Sequence, residues 1–291
     1  MGSADIIPGV SGGTMAFILG IYARLIRAIR SFDMIFLRAL ARGDVRQAAS
    51  HVDSGFLILL LTGIIAALLV FTRVIPVPYL LKAYPEPVYS LFFGLILASV
   101  VYLLVRVERW RVRDSVFLIA GTIIGWLVFT LIPVETPDAP WFLFLAGAVS
   151  ICAMILPGIS GSFVLLILNK YSTVFNAIGY FQLAVLIPFI LGAVTGLLLF
   201  SRLLSLLLNR CYRATMQFIT GLLVASLWVI WPFQDRTYEM VGGSSKIIAS
   251  TPALPYEIDG MFLLSVLLFA AGCAVVFVMH AMVKDKTTGE E

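Results

Sequence analysis

Charge is scarce in this chain: only 12% of its 291 residues are Asp, Glu, Lys or Arg, against 61% that are hydrophobic, and the mean hydropathy is +1.04. A soluble domain keeps roughly a quarter of its residues charged, so that class is excluded and a polytopic α-helical membrane protein is expected. Histidine is nearly absent. His51 and His280 lie far apart in sequence, which argues against a zinc site and against phosphatase chemistry built on imidazoles. The three cysteines, Cys152, Cys211 and Cys273, sit in or beside apolar stretches, with neither a disulfide framework nor metal-ligand spacing, and read as packing residues. No metal or organic cofactor is expected. A nucleotide-binding loop of the G-x-x-x-x-G-K-[ST] kind is missing, so direct ATP coupling would need a partner. The first residues lack the charged start and cleavable small-residue end of a secretory signal. The basic excess, a net charge of +4, is dispersed among loops, so nucleic acid is not an expected partner.

What the chain does have is a phrase stated twice. Ile7-Pro8-Gly9-Val10-Ser11-Gly12-Gly13 returns 149 residues later as Leu156-Pro157-Gly158-Ile159-Ser160-Gly161-Ser162, and Tyr22 matches Tyr171 at the same offset. Pro and Gly break helices, and a membrane tolerates broken backbone only where protein or a water-filled cavity satisfies it. Two further blocks repeat in the same order. Leu68 to Arg73 resembles Leu197 to Arg202, with Gly63 matching Gly192, and Gly94 to Ser99 resembles Gly221 to Ser226. The offsets fall from 149 to 129 and 127, so the first half carries an insertion, the Arg-rich segment from Ser31 to Ser54.

Apolar runs near the length of about twenty residues needed to cross a bilayer predict six full crossings, at 55–75, 87–106, 115–133, 175–200, 214–233 and 261–283. Two apolar segments interrupted by the phrase, 4–26 and 141–171, read as re-entrant or broken hairpins. The expected organisation is repeat 1 over 1–134 and repeat 2 over 135–291. With this topology fifteen of the twenty basic residues fall on one side, while Glu135, Asp138, Asp235, Glu239, Glu257 and Asp259 fall on the other. The positive-inside rule then places both termini in the cytoplasm. Three crossings per half is an odd number, so the second half is inverted and the two Pro-Gly tips approach each other near the midplane. The fold class expected is an all-α polytopic membrane protein with an inverted-topology repeat.

Opposed tips of this kind suit an anion. Gly9, Gly12, Gly13 and Gly158 permit tight backbone, and Ser11, Thr14, Ser160 and Ser162 can cap a restarting helix, whose free N–H groups attract phosphate or carboxylate. Pro8 and Pro157 end the helices that lead in. Arg24, Arg73 and Arg202 are candidates to hold the anion bidentately, the last two as repeat equivalents at helix ends, although arginine there also snorkels to the interface. Tyr22 and Tyr171 fit a cavity lining or an interfacial belt. Gly121 with Gly125 and Gly192 with Gly196 read as helix-packing pairs. Asp5, whose repeat counterpart is Met154, is either a carboxylate for proton coupling or exposed on the cytoplasmic side. The insertion alternates apolar and basic residues, as on an anionic leaflet.

Asp5-Ile6-Ile7-Pro8-Gly9-Val10-Ser11-Gly12-Gly13-Thr14-Met15-Ala16, with Ile18-Leu19-Gly20-Ile21-Tyr22, resembles the signature of the PopT family of polyprenyl-phosphate transporters. The resemblance implies a flippase, not an enzyme, that returns undecaprenyl phosphate to the cytoplasmic leaflet for peptidoglycan and other envelope synthesis. For that cargo the repeated phrase itself predicts Ser11, Gly12, Gly13, Thr14, Ser160, Gly161 and Ser162 as the phosphate contacts. The family often has an acid where this chain has Ala23. If that acid couples transport, another group or none serves here. A proton or sodium gradient is compatible as the driving force, and a homodimer is compatible as the assembly. A transporter or channel for a small anion is the rival reading, since glycine-serine tips serve inorganic anions as well.

Overall fold

The computed structural model describes residues 1–2, 11–71, 79–80, 83–105, 107, 109–131, 136–241, 244–255 and 258–288. Asp5, Pro8, Gly9 and Arg73 lie outside the described residues. The first half contains α1 (Gly12–Ile18), α2 (Tyr22–Arg30), α3 (Met34–Ala41), α4 (Val45–His51), α5 (Ser54–Leu69), α6 (Pro85–Val105) and α7 (Val112–Phe129). The second contains α8 (Pro140–Ile155), α9 (Gly161–Ile167), α10 (Tyr171–Gly179), α11 (Leu183–Arg210) and α12 (Tyr212–Val229). A hairpin of β1 (Gln234–Val241) and β2 (Ser244–Pro252) follows, and α13 (Gly260–Thr288) closes the fold.

The repeat of the sequence reappears in helix bounds. α9 and α10 start and stop 149 residues after α1 and α2. The turn between each pair is the same turn. Gly20 has φ +71° and Asn169 has φ 52°, and glycine and asparagine are the two residues that enter this left-handed conformation at least cost. Gly20 N–H donates to Phe17 O (3.1 Å) and Ile21 N–H to Ala16 O (3.0 Å); the counterparts are Asn169 N–H to Leu166 O (3.0 Å) and Lys170 N–H to Leu165 O (2.8 Å).

Three helix pairs build the body: α6 with α13, α7 with α12, and α8 with α11. Glycines let their backbones touch. Gly94 of α6 lies on the Phe269 carbonyl of α13, and Gly272 of α13 lies on the Leu91 carbonyl of α6. Reciprocally, Gly221 of α12 lies on the Leu118 carbonyl of α7, and Gly121 of α7 on the Phe218 carbonyl of α12. A Cβ at any of the four would overlap backbone. The second pair of contacts is the first with the halves exchanged: α12 follows α6 at an offset of 127, and the α13 contacts follow those of α7 at 151. Gly125 faces Ala225, and Gly192 and Gly196 face the Phe144 and Ala148 carbonyls, so the expected packing pairs are packing pairs. Phe17, Tyr22 and Ile26 from the first half share one buried cluster with Leu204, Ile219 and Leu223 from the second.

The protein is a helical membrane protein. Among the described residues four helices are long and apolar enough to cross a bilayer, namely α6, α7, α11 and the Gly260–Val278 part of α13. The α4–α5 pair, bent by 71°, makes five if it is one span. α12, expected as a sixth, falls short in apolarity because it is packed between neighbours, with Thr215, Gln217, Thr220 and Ser226 buried along it. The crossing expected at 175–200 begins only at Leu183 and runs to Arg210. Its supposed start is the separate helix α10, the counterpart of α2, broken off where Phe181 takes φ 51°. Arg202 therefore lies inside α11, eight residues before its end, rather than at a helix terminus.

The β-hairpin departs from the all-α expectation. Its strands carry the β-branched and aromatic residues Thr237, Tyr238, Val241, Ile247 and Ile248 on either side of Gly242-Gly243, a hairpin signal in the segment between the crossings expected at 214–233 and 261–283. Trp231 Nε1–H ties its far end by donating to Ala253 O (2.8 Å). The insertion forms α3 and α4, capped by Asp33, which accepts from the Ile35 and Phe36 N–H groups, and by Asp44, which accepts from Gln47 N–H. Met34, Ile35, Leu37, Leu40 and Val45 are exposed there.

Candidate functional site

The two phrases lie beside each other, joined through residues at their edges. α8 stops at Ile155 because Leu156 turns to an extended conformation (ψ 125°) ahead of Pro157, which cannot donate to a helix. That break leaves the last carbonyls of α8 without intrahelical donors, and the first half supplies them. Ser11 Oγ donates to Met154 O (3.1 Å) and Tyr22 Oη to Ile155 O (3.1 Å). In the opposite direction Gly158 N–H donates to Thr14 Oγ1 (2.8 Å). Ser11 also caps α1, accepting from Gly13 N–H at 3.1 Å. The approach is close enough that a Cβ at Gly13 would lie 2.9 Å from Ile155 O. Gly158, at φ +94°, presses on α12, where a Cβ would lie 2.9 Å from Leu222 O.

The residues expected to bind an anion therefore divide into two groups. Ser11, Gly12, Gly13 and Thr14 are buried, and the hydroxyl of Ser11 is engaged with Met154 O of α8 and that of Thr14 with Gly158 of the second phrase. Pro157, Gly158 and Gly161 are buried as well, Gly161 against Ser150 O of α8. Ser160 and Ser162 are accessible, and their Oγ atoms lie 2.7 Å apart. Tyr22 is buried in the contact, whereas Tyr171 is 38% exposed and stacks on Phe175.

The arginines stand elsewhere. Arg24 is bound bidentately to Asp53 (2.7 and 3.1 Å) and lies over the Phe56 ring. The bound guanidinium holds the Asp53 carboxyl below the usual carboxylate range. Arg202 is exposed on α11, and among the described residues no hydrogen bond joins it to either phrase. Arg30 reaches across halves instead, donating to Ser205 Oγ of α11 at 2.9 Å.

A further polar cluster escaped the sequence reading. The Lys170 side chain is 3% exposed, and its Nζ donates to Asp138 Oδ1 (2.5 Å) and Thr136 O (2.7 Å). Thr136 Oγ1 in turn donates to Leu168 O (2.5 Å). These bonds tie the far end of α9 to the residues before α8, so the segment from 136 to 170 is a closed hairpin with the phrase at its tip. A lone lysine in an apolar run was the available signal. Asp138 is 74% exposed, so the two partners are not equivalent. Asp138→Ala leaves a buried ammonium held only by a carbonyl and is expected to cost about 1–3 kcal/mol; Lys170→Met removes the charge, keeps the apolar stem and is expected to cost less. Thermal unfolding in detergent checks the order, and the reverse order would contradict this account of the cluster.

A family model described as undecaprenyl phosphate translocase-like matches residues 1–248. A polyprenyl-phosphate transporter of Vibrio cholerae is 38% identical over 287 residues, covering 95% of this chain and 92% of the relative. A polyprenyl-phosphate transporter of Staphylococcus aureus is 31% identical over 252 residues, covering 80% of this chain and 83% of the relative. No solved structure gives a significant match.

Proposed function

Because the chain belongs to the undecaprenyl phosphate translocase-like family, we propose that it carries polyprenyl phosphate from the outer to the cytoplasmic leaflet of a bacterial membrane, with the phosphate passing at the junction of the two glycine phrases. The observation that carries this reading is the hydrogen bond from Gly158 N–H to Thr14 Oγ1, which joins the broken backbone of the second phrase to the first turn of α1. A phosphate cannot cross hydrocarbon cheaply, whereas the prenyl chain can remain in lipid throughout. The protein needs to shelter the headgroup alone.

The reading takes the two halves as an inverted repeat with six crossings and two re-entrant hairpins, and the exchanged glycine contacts of α6–α13 and α7–α12 support it. Alternating access then follows from the unequal state of the phrases. Ser160 and Ser162 are open to a headgroup while Ser11 and Thr14 are closed on Met154 O and Gly158 of the second half. Rocking one half against the other exchanges these roles, so the phosphate meets Ser160, Gly161 and Ser162 in one state and Ser11, Gly12, Gly13 and Thr14 in the other. Pro8, Gly9, Pro157 and Gly158 hold the breaks. Arg73 and Arg202 compensate the charge on the way in and out, Asp5 serves proton coupling, and both termini are cytoplasmic. The test is leaflet-resolved transport in liposomes loaded with undecaprenyl phosphate, beside uptake of inorganic phosphate. Lipid movement without phosphate uptake is expected; phosphate uptake with the lipid left in place would overturn the reading in favour of a small-anion carrier.

A further inference from the structure

A lateral groove of about 580 Å³ opens between α7 and α12, with Phe93 of α6 and Pro252 of β2 also in its lining. Ile123, Trp126 and Trp228 line it and are about half exposed, so it faces sideways. Its hydroxyl-bearing residue, Thr122, turns its proton back to Leu118 O of its own helix (3.0 Å). Trp231 is held in place twice, by Ala253 O and by edge contact with the Phe93 ring at 5.3 Å. The lining is thus apolar, aromatic and braced. In a bilayer the hydrophobic effect gives no reason for a chain to leave the lipid for such a groove, since lipid tails are equally apolar. Selection must come from dispersion against rigid faces and from how little freedom the occupant loses. An isoprenoid chain, with a double bond and a methyl branch in every unit, has fewer torsions to freeze than a saturated acyl chain.

The groove is also continuous with the phrases. Leu222 and Leu223 of α12 lie against Gly158, and the next residues of the same helix, Val224, Ala225, Leu227 and Trp228, line the groove. At a rise of about 1.5 Å per residue, Trp228 is about 9 Å along the axis from Leu222, within reach of the first isoprene units behind a bound phosphate. We propose that this groove holds the phosphate-proximal isoprene units of the cargo lipid, an assignment that rests on the transport reading above.

Photocrosslinking in vesicles tests it. Full-length protein carries a photoreactive amino acid in place of Ile123, or of Ile124, which is 47% exposed at the same depth but does not line the groove. The vesicles contain undecaprenyl phosphate and phosphatidic acid at equal mole fraction, which share a phosphate and differ in their chains. Capture of the prenyl lipid at position 123 is expected to exceed that of phosphatidic acid by about tenfold, with parity at 124 and loss of the excess on adding Trp126→Ala and Trp228→Ala. Parity at both positions, or preference for phosphatidic acid at 123, overturns the groove. Transport read in the same vesicles separates the two claims: parity beside normal lipid transport removes the groove alone, and absent transport removes the transport reading.

Discussion

Gly158→Ala is expected to abolish transport and to lower the unfolding temperature. Three demands fall on this residue together. Its φ of +94° is a region that side-chain-bearing residues rarely adopt, at a cost of about 1–3 kcal/mol. Its added Cβ would lie 2.9 Å from the Leu222 carbonyl, and backbone cannot swing aside as a side chain does, so overpacking adds about 1–3 kcal/mol more. Any shift that relieved the overlap would stretch the bond to Thr14 Oγ1, one of the contacts through which the halves meet. Gly20 is the control. It too has positive φ, +71°, but nothing lies within 4 Å of its would-be Cβ. Gly20→Ala should cost about 1–2 kcal/mol, while Gly20→Asn should be close to neutral, because Asn169 already performs the same turn in the second half. Thermal unfolding and transport of the three variants check this. Equal losses for Gly158→Ala and Gly20→Asn would contradict it.

Gly221→Val is expected to prevent accumulation of folded protein, and Gly94→Val to do the same. Each glycine lets a helix of one half rest its backbone on a carbonyl of the other half, Leu118 for Gly221 and Phe269 for Gly94. No side chain intervenes that could repack, so the helices must separate along their length and lose the dispersion contacts that hold membrane helices together. Gly55, with nothing within 4 Å of its Cβ position, gives the contrast: Gly55→Ala should be neutral or stabilise by about 0.5–1 kcal/mol through helix propensity. Yield and size-exclusion profile in detergent read the outcome. Folded, monodisperse Gly221→Val protein would show that the α7–α12 contact is not needed.

Much of this arrangement is legible in the sequence. The duplicated phrase marks the breaks, and its offset of 149 foretells a second copy of α1, α2 and their turn. What the sequence hides is the inequality of the copies. Ser11 and Ser160 read alike, yet one is sealed by Met154 O and the other faces Ser162, since equivalent residues need not share a conformational state. Arg24 looked like an anion ligand, but the bend before α5 brings Asp53 to it across 29 residues, a pairing no local pattern announces. Hydropathy alone does not separate α10 from the crossing; the left-handed Phe181, with Gln182 N–H donating to Ala177 O, decides where α11 starts. The tight fit of Gly94 and Gly221 appeared only as a matching block, without the carbonyls they rest on.

The most direct test of the central claim uses the two accessible hydroxyls. Ser160→Ala with Ser162→Ala removes the open half of the proposed phosphate site, and since these Oγ atoms bond to each other, the fold should survive with an unchanged unfolding temperature. Leaflet-resolved movement of undecaprenyl phosphate in liposomes is then compared with the unaltered protein. The account predicts a folded double variant whose transport falls at least about tenfold. Full transport by that variant would contradict a phosphate site at the meeting of the two phrases.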